Sequence, residues 1–310
     1  MLGALLATIL FSLSAVTASR TARFMGGTEA NFWRLSLALC FLALIAHTLG
    51  GGLGGSAFHL FLLSGCLGFG LGDVAFFQAL PRLGTRLSVL LVNCLAAPFA
   101  ALVEWLWLGT TLSGAEAWCA VVILSGVALA LAPSEHRHIE RRTFWIGLLA
   151  GALAGVGQAS GAVLSRKAFE ATRLAAENMD GLTAAYQRLI GGVAISGLCL
   201  LVVKRRWILN HARSATAGEE LDLPDSGAKW RRAGPWLLMN ALAGPTLGVS
   251  CFLWALKQKG TGVVLPIVAM TPLVVIPFTA WLEGEKLGAR SLVGGVIAVG
   301  GAVALALVSR

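Results

Sequence analysis

The sequence Ala79-Leu80-Pro81-Arg82-Leu83-Gly84-Thr85 recurs 176 residues later as Ala255-Leu256-Lys257-Gln258-Lys259-Gly260-Thr261, with the Ala-Leu and Gly-Thr pairs at the same spacing. Four further matches follow in the same order in both parts of the chain. They pair Gly68-x-x-x-Gly72 with Gly244-x-x-x-Gly248, Val127–Leu131 with Val303–Leu307, Ser14-x-x-x-x-Ser19-Arg20 with Ser160-x-x-x-x-Ser165-Arg166, and Arg34-Leu35 with Arg188-Leu189. Five matches in one order predict that the chain consists of two related halves.

The composition predicts a membrane protein. Of the 310 residues, 57% are hydrophobic, another 38 are glycine, only 13% are charged, and the mean hydropathy is +0.79. Soluble domains carry about 25% charged residues. A bilayer-spanning helix needs about 20 apolar residues, and ten stretches of the sequence meet that requirement. The ten predicted spans are residues 2–18, 34–50, 57–80, 84–107, 115–133, 144–165, 183–203, 235–256, 262–282 and 290–308.

The spans divide into two five-helix halves, at residues 1–133 and 144–310. Because five is an odd number, the second half crosses the membrane in the opposite direction to the first. The predicted fold class is therefore an all-α integral membrane protein with ten transmembrane helices arranged as two inverted five-helix repeats. Such repeats are typical of secondary transporters, whose site lies near the midplane between the halves. The charged segment at about 204–234 is predicted to be a solvated loop.

The distribution of lysine and arginine predicts an orientation. If the N-terminus faces outside, 17 of the 24 basic residues lie in the inner loops, with Arg34 assigned to the first of these loops. Loops rich in Lys and Arg face the cytoplasm. The loop charges therefore predict a multi-pass protein of the plasma membrane with both termini outside the cytoplasm.

Three groups of residues carry a resemblance to a known family. They are Gly72-Asp73-x-x-Phe76-Phe77-x-Ala79-Leu80-x-x-x-Gly84, then Pro272 with Gly284-Glu285-x-Leu287 and the glycine-rich last span, and the arginines Arg34 and Arg188 near the start of the second helix of each half. In these features the chain resembles the drug/metabolite transporter superfamily, in particular its EamA-type ten-helix branch. The resemblance implies export or exchange of small metabolites, commonly amino acids, drugs or nucleotide-linked compounds, by alternating access without ATP hydrolysis. It also implies cytoplasmic termini, opposite to the loop charges.

One carboxylate inside a span is the leading candidate for the transport site. Asp73 lies well inside the third span, where ionisable groups are costly and by default indicate function. Its counterpart in the second half is Val249, so its role belongs to one half only. Asp73 is a candidate counter-charge for a cationic or zwitterionic solute, or a carboxyl that exchanges a coupling proton. The alternative is a structural carboxylate bonded to backbone at a helix break near Gly70 and Gly72.

Polar residues and one tryptophan inside the spans complete the predicted pathway: Gln78, Asn93, Gln158, Ser160, Asn240 and Trp254. Their side chains can bind a solute or simply join neighbouring helices. Gln78 aligns with Trp254, so the predicted cavity has different chemistry in its two halves. Arg34 and Arg188 are predicted to anchor their helices by reaching the lipid headgroups, with anion binding as the alternative.

No motif of a known catalytic centre is present, so the chain is predicted not to be an enzyme. The six cysteines are scattered within the spans, and neither a metal nor a cofactor is predicted. The predicted partners are a small-molecule solute, the lipid bilayer and a coupling proton, and the predicted assembly is a monomer or homodimer. Acidic residues within 204–234 argue against nucleic-acid binding. Two other functions stay open: an intramembrane enzyme acting on lipid-linked substrates, and a membrane sensor or scaffold that does not transport.

Overall fold

The computed structural model describes residues 2–108, 113–130, 140–216, 226–258, 267–284 and 288–308. These residues are almost entirely helical and contain no strand. We number their ten main helices α1 Leu2–Met25, α2 Gly27–Thr48, α3 Phe58–Leu83, α4 Thr85–Leu108, α5 Gly114–Ala130, α6 Arg141–Leu174, α7 Gly181–Thr216, α8 226–258, α9 Thr271–Glu283 and α10 Ala289–Val308. The predicted all-α fold with ten helices is confirmed.

The lengths of the helices suit a bilayer. Within the described residues, α1, α2, α3, α6, α7 and α8 are each long and apolar enough to cross a membrane. The described apolar parts of the other four helices are shorter, for example Gly114–Ala130 and Thr271–Glu283. Because lipid cannot hydrogen-bond backbone groups, a chain of this hydropathy satisfies them within helices.

The charged segment 204–234 is not the loop that its composition predicts. Helix α7 continues to Thr216 and α8 begins at Ser226, so the described residues of the segment are helical. The sequence between Gly197 and Gly218 contains neither glycine nor proline, the residues that most disfavour a helix. Charge alone does not indicate irregular structure, because lysine and arginine are good helix formers in water.

An irregularity of the backbone recurs in both halves. Helix α3 contains a π-helical segment at Cys66–Gly72, and α8 contains one at Leu242–Gly248. The two segments lie 176 residues apart, which is the offset of the sequence repeat. Glycine supplies three of the seven residues of the first segment, and Pro245 in the second has no backbone N–H to donate. The inverted repeat is therefore visible in the backbone as well as in the sequence.

Helix α3 of the first half packs closely against α6 of the second half. A Cβ atom added at Gly157 would lie 2.5 Å from the Cα of Gly72, and one added at Gly161 would lie 3.1 Å from the Cα of Gly68. The Ser64 hydroxyl donates a hydrogen bond of 2.7 Å to the Gly161 carbonyl across the same contact. Small residues let membrane helices approach this closely. The close approach brings the side chains that neighbour these glycines together at the contact between the halves.

Candidate functional site

Asp73 follows the π-helical segment of α3 directly and is buried, with 4% of its surface exposed. Its Oδ2 accepts a hydrogen bond from Arg34 Nη2 in a buried ion pair. Its Oδ1 accepts a hydrogen bond of 3.0 Å from Gln158 Nε2 on α6. Gln158 is the neighbour of Gly157, whose approach to Gly72 places the amide beside the carboxylate. Asp73 is thus bound by Arg34 of its own half through one carboxylate oxygen and by Gln158 of the second half through the other oxygen.

Arg34 is held from two further sides. Its Nε donates a hydrogen bond of 3.0 Å to Asn31 Oδ1, and Asn31 Nδ2 donates one of 3.2 Å to Ser196 Oγ on α7. Its guanidinium lies over the ring of Phe77, 4.8 Å from the centroid. The network therefore joins α2 and α3 of the first half to α6 and α7 of the second. We call Arg34, Asp73, Gln158 and Arg188 the central cluster.

Arg188 on α7 brings a second positive charge to the central cluster. It interacts electrostatically with Asp73, and its guanidinium lies 4.8 Å from the ring centroid of Phe69. Its Nε is buried without a hydrogen-bond partner among the described residues. Arg34 and Arg188 are each the eighth residue of their helix, about 11 Å from its start at 1.5 Å per residue. That depth explains why both residues, each 6% exposed, lie buried in the protein rather than at the lipid headgroups.

The arginines follow the inverted symmetry of the halves. A Cβ atom added at Gly244 of the second π-helical segment would lie 3.3 Å from Arg34 Nη1. One added at Gly68 of the first segment would lie 3.4 Å from Arg188 Nη2. Each arginine therefore reaches across to the irregular helix of the opposite half, where a larger residue would meet the guanidinium.

Within the described residues, the other predicted pathway residues make no hydrogen bond to the central cluster. Gln78 donates to Thr28 and accepts a hydrogen bond of 2.9 Å from Arg82, and Asn93 donates to the Val89 carbonyl of its own helix. Ser160 is half-buried on α6, two residues beyond Gln158. Asn240 is fully buried in α8, where its Oδ1 accepts a hydrogen bond of 2.8 Å from Ser14 and its Nδ2 has no partner among the described residues. Trp254 is 45% exposed on α8 and packs near Gly3.

The structure adds residues that the sequence did not single out, namely Asn31, Ser196 and Phe69, and it places Phe77 of the family motif against Arg34. Asn31 lies three residues before Arg34, so both belong to one helix face. That spacing was the available signal for Asn31. Phe69 looked like an ordinary apolar residue, and nothing near Ser196 in the sequence relates it to α2.

Polar contacts between the halves close one end of the bundle, where the α2–α3 loop meets the α6–α7 loop. The backbone N–H of Ser56 donates to both carboxylate oxygens of Glu177, at 3.1 and 3.0 Å. Gln187 Nε2, in a fully buried side chain, donates to the carbonyls of Gly52 and Gly54. His47 Nε2 lies 3.1 Å from the Tyr186 hydroxyl.

Ion pairs between the halves bridge the opposite end. Lys229 on α8 lies 2.8 Å from Glu29 near the start of α2. Glu283 at the end of α9 lies 3.4 Å from Arg23 and accepts a hydrogen bond of 2.7 Å from the Thr85 hydroxyl. The central cluster thus lies between two sets of contacts that join the same two halves. Within the described residues, no three His, Cys, Asp or Glu side chains are grouped so as to hold a metal ion.

Comparisons with known proteins relate both halves of the chain to one family. A sequence model described as the EamA-like transporter family matches residues 1–132 and 145–307. A solved structure titled "Crystal structure of protein" is similar over 98% of this chain and 97% of that chain, with a TM-score of 0.55 and 18% sequence identity. At that identity the likeness shows the fold alone. No match is found among curated proteins.

Proposed function

The chain belongs to the EamA-like transporter family, and we propose that it is a secondary transporter that exports or exchanges small organic metabolites or drugs by alternating access. Family membership makes it a transporter of small solutes. The observation that supports this mechanism is the central cluster, which is buried, charged and shared between the two inverted halves. Secondary transporters with inverted repeats bind their cargo at such a position.

Asp73 is the group whose contacts change during the proposed cycle. Its bond to Arg34 lies within the first half, whereas its bond to Gln158 crosses to the second half. When the halves move against each other, the bond to Gln158 lengthens while Arg34 moves together with Asp73. A coupling proton or the exchanged solute then takes the place that Gln158 leaves.

The two sets of end contacts are the proposed gates. Alternating access requires one set to open while the other stays closed. Opening towards one side breaks the contacts of Glu177 and Gln187 with the α2–α3 loop. Opening towards the other side breaks the pairs of Glu29 with Lys229 and of Glu283 with Arg23. We place this cycle in the plasma membrane, and its driving force is a proton gradient or the gradient of an exchanged solute.

Ser160 and Asn240 belong to the proposed pathway as polar groups near the contact between the halves. Asn240 lies 176 residues after Ser64 and is its counterpart in the repeat. Ser64 and Asn240 each lie two residues before the π-helical segment of their own half. Asn240 Nδ2 is a donor that no acceptor among the described residues satisfies. Gln78, Asn93 and Trp254 lie further along the helices, where they would contact a solute that enters or leaves.

Substitution of Asp73 in proteoliposomes tests the proposal. A thermal-shift screen of amino acids, polyamines, nucleosides and cationic drugs first selects a solute, because a ligand of the native state raises its apparent stability. Asp73→Asn keeps the shape of the side chain and removes its charge. Loss of one charge-assisted hydrogen bond, about 1.5–3 kcal/mol, predicts an uptake rate at least about tenfold lower.

Two further variants make the transport experiment specific. Gln158→Ala removes only the bond between the halves and should also slow uptake, whereas Glu170→Gln on the exposed surface of α6 should not. Size-exclusion chromatography confirms that each variant is folded. Full, pH-independent uptake by Asp73→Asn would remove Asp73 from the mechanism. Conversion of a labelled lipid by the protein in detergent, where no gradient exists, would instead favour an intramembrane enzyme.

A further inference from the structure

The two buried arginines are repeat counterparts with unequal partners. Each lies against a glycine of the opposite half's π-helical segment and each lies 4.8 Å from a phenylalanine ring. Arg34 forms an ion pair with Asp73. The residue that corresponds to Asp73 in the second half is Val249, which is buried and apolar. The second half thus keeps the cation and lacks its carboxylate.

Arg188 is therefore a buried cation with incomplete partners. Its Nε has no hydrogen-bond partner among the described residues, and only 6% of the residue is exposed. Asp73 attracts Arg188 electrostatically, but each of its oxygens already accepts a hydrogen bond, from Arg34 and from Gln158. Arg34, Arg188 and Asp73 together carry one net positive charge. Burial of an uncompensated charge is costly, so this arrangement favours an arriving anion.

We propose that Arg188 binds a carboxylate group of the transported solute, which makes small organic acids and zwitterions the substrate class. A guanidinium binds a carboxylate through two parallel hydrogen bonds, and one edge of the Arg188 group includes the Nε that has no partner among the described residues. A carboxylate carries one negative charge and balances the cluster, whereas a phosphate monoester carries about −1.5 to −2 and would overbalance it. Because Arg188 is buried between the halves, a transported solute is a better candidate for its ligand than a lipid headgroup, which would remain at the membrane surface.

This inference rests on the proposed transport function and narrows it. A zwitterion such as an amino acid would leave the net charge of the cluster unchanged, but it would place its carboxylate at Arg188 and its ammonium near the carboxylate of Asp73. A purely cationic solute would meet the net positive charge of the central cluster. Cations are therefore expected to be poor substrates, although Asp73 taken alone suggested them.

Matched ligands test the substrate class in the purified full-length protein. The probes are benzoate, indole-3-acetate and L-amino acids, each compared with its uncharged or cationic amide. At least one carboxylate should raise the unfolding temperature, and its amide should not. Arg188→Gln should raise the Kd of that carboxylate by about tenfold to a hundredfold, because a hydrogen bond to a charged group is lost. Arg142→Gln, at an exposed position, should leave the Kd unchanged.

A second variant supplies the missing carboxylate from the protein itself. By the repeat, Val249→Asp places a carboxyl beside Arg188 as Asp73 lies beside Arg34. This carboxyl should occupy the guanidinium, so the Kd of the added carboxylate should rise about tenfold or more relative to Val249→Asn. Val249→Asn has nearly the same size without the charge, so it controls for the burial of a polar group.

The outcomes separate the inference from the proposed function. Uptake of a neutral or cationic solute, with no carboxylate bound, would overturn the assignment of Arg188 and leave the transporter in place. Carboxylate binding that neither Arg188→Gln nor Val249→Asp weakens would also overturn it. Carboxylate binding that depends on Arg188, without uptake into sealed vesicles, would support the site and refute transport.

Discussion

Substitution of Gly157 by alanine tests whether the contact between α3 and α6 holds the central cluster together. The added Cβ atom would lie 2.5 Å from the Cα of Gly72 and 2.9 Å from its N. Carbon atoms in contact lie about 3.5–4.0 Å apart, so the two backbones must separate by about 1 Å. A flexible side chain could not relieve this clash, because the atoms concerned belong to the backbone.

The expected cost follows from the clash and from the bond beside it. Overpacking of a well-packed contact costs about 1–3 kcal/mol. A separation of about 1 Å would stretch the 3.0 Å bond from Gln158 to Asp73 beyond hydrogen-bonding distance. Loss of that bond adds a destabilisation of about 1.5–3 kcal/mol. Alanine in place of glycine stabilises the helix by about 0.5–1 kcal/mol and offsets part of it. We expect a net destabilisation of about 2–5 kcal/mol.

Unfolding of the purified protein in detergent measures this cost. Gly161→Ala should be milder, because its Cβ would lie 3.1 Å from its nearest neighbours. Gly300→Ala on α10 is the matched control, since no atom of the described residues lies within 4 Å of the added Cβ and the residue is exposed. It should be neutral or slightly stabilising. If Gly157→Ala is as stable as Gly300→Ala, the close approach of α3 and α6 does not position the central cluster.

Two other predictions concern the ion pair and the orientation. Asp73→Asn should lower the free energy of unfolding by about 3–5 kcal/mol. Arg34→Gln should lower it by less, because Arg188 still attracts Asp73 when Arg34 is lost. The variant with both substitutions should lose less unfolding free energy than the two single variants lose together. Strictly additive losses would contradict an energetic coupling between Arg34 and Asp73. Reporter fusions at Arg310 and within 207–230 should report opposite sides of the membrane, with Arg310 outside as the loop charges predict. A cytoplasmic Arg310 would refute that orientation.

The fold was predictable because its signals are periodic or repeated. Hydropathy alone marks stretches of bilayer length, and five ordered matches identify two halves. Local helix propensity decided the segment after residue 203, where composition predicted a loop and α7 continues to Thr216. Charge patterns report solvation, and they do not exclude a helix where neither glycine nor proline interrupts the chain.

The candidate site was predictable only in part. Asp73 and Gln158 were predicted separately as polar residues inside spans, and the structure joins them by a hydrogen bond. Arg34 and Arg188 lie near the starts of their spans in the sequence, which favoured lipid headgroups as partners. Their depth of two helical turns and their burial among helices of both halves depend on how the halves pack. No one-dimensional signal encodes that packing.

The sequence by itself determined the membrane environment, the ten helices, the two halves and the asymmetry between Asp73 and Val249. Those properties follow from local composition and from spacing along the chain. Only the tertiary structure decided which buried charges meet, because Arg34 and Asp73 lie 39 positions apart and Gln158 lies 85 positions beyond Asp73. It also decided that Gln158 reaches Asp73, because glycines let α3 and α6 approach closely, and that Arg188 Nε has no hydrogen-bond partner among the described residues.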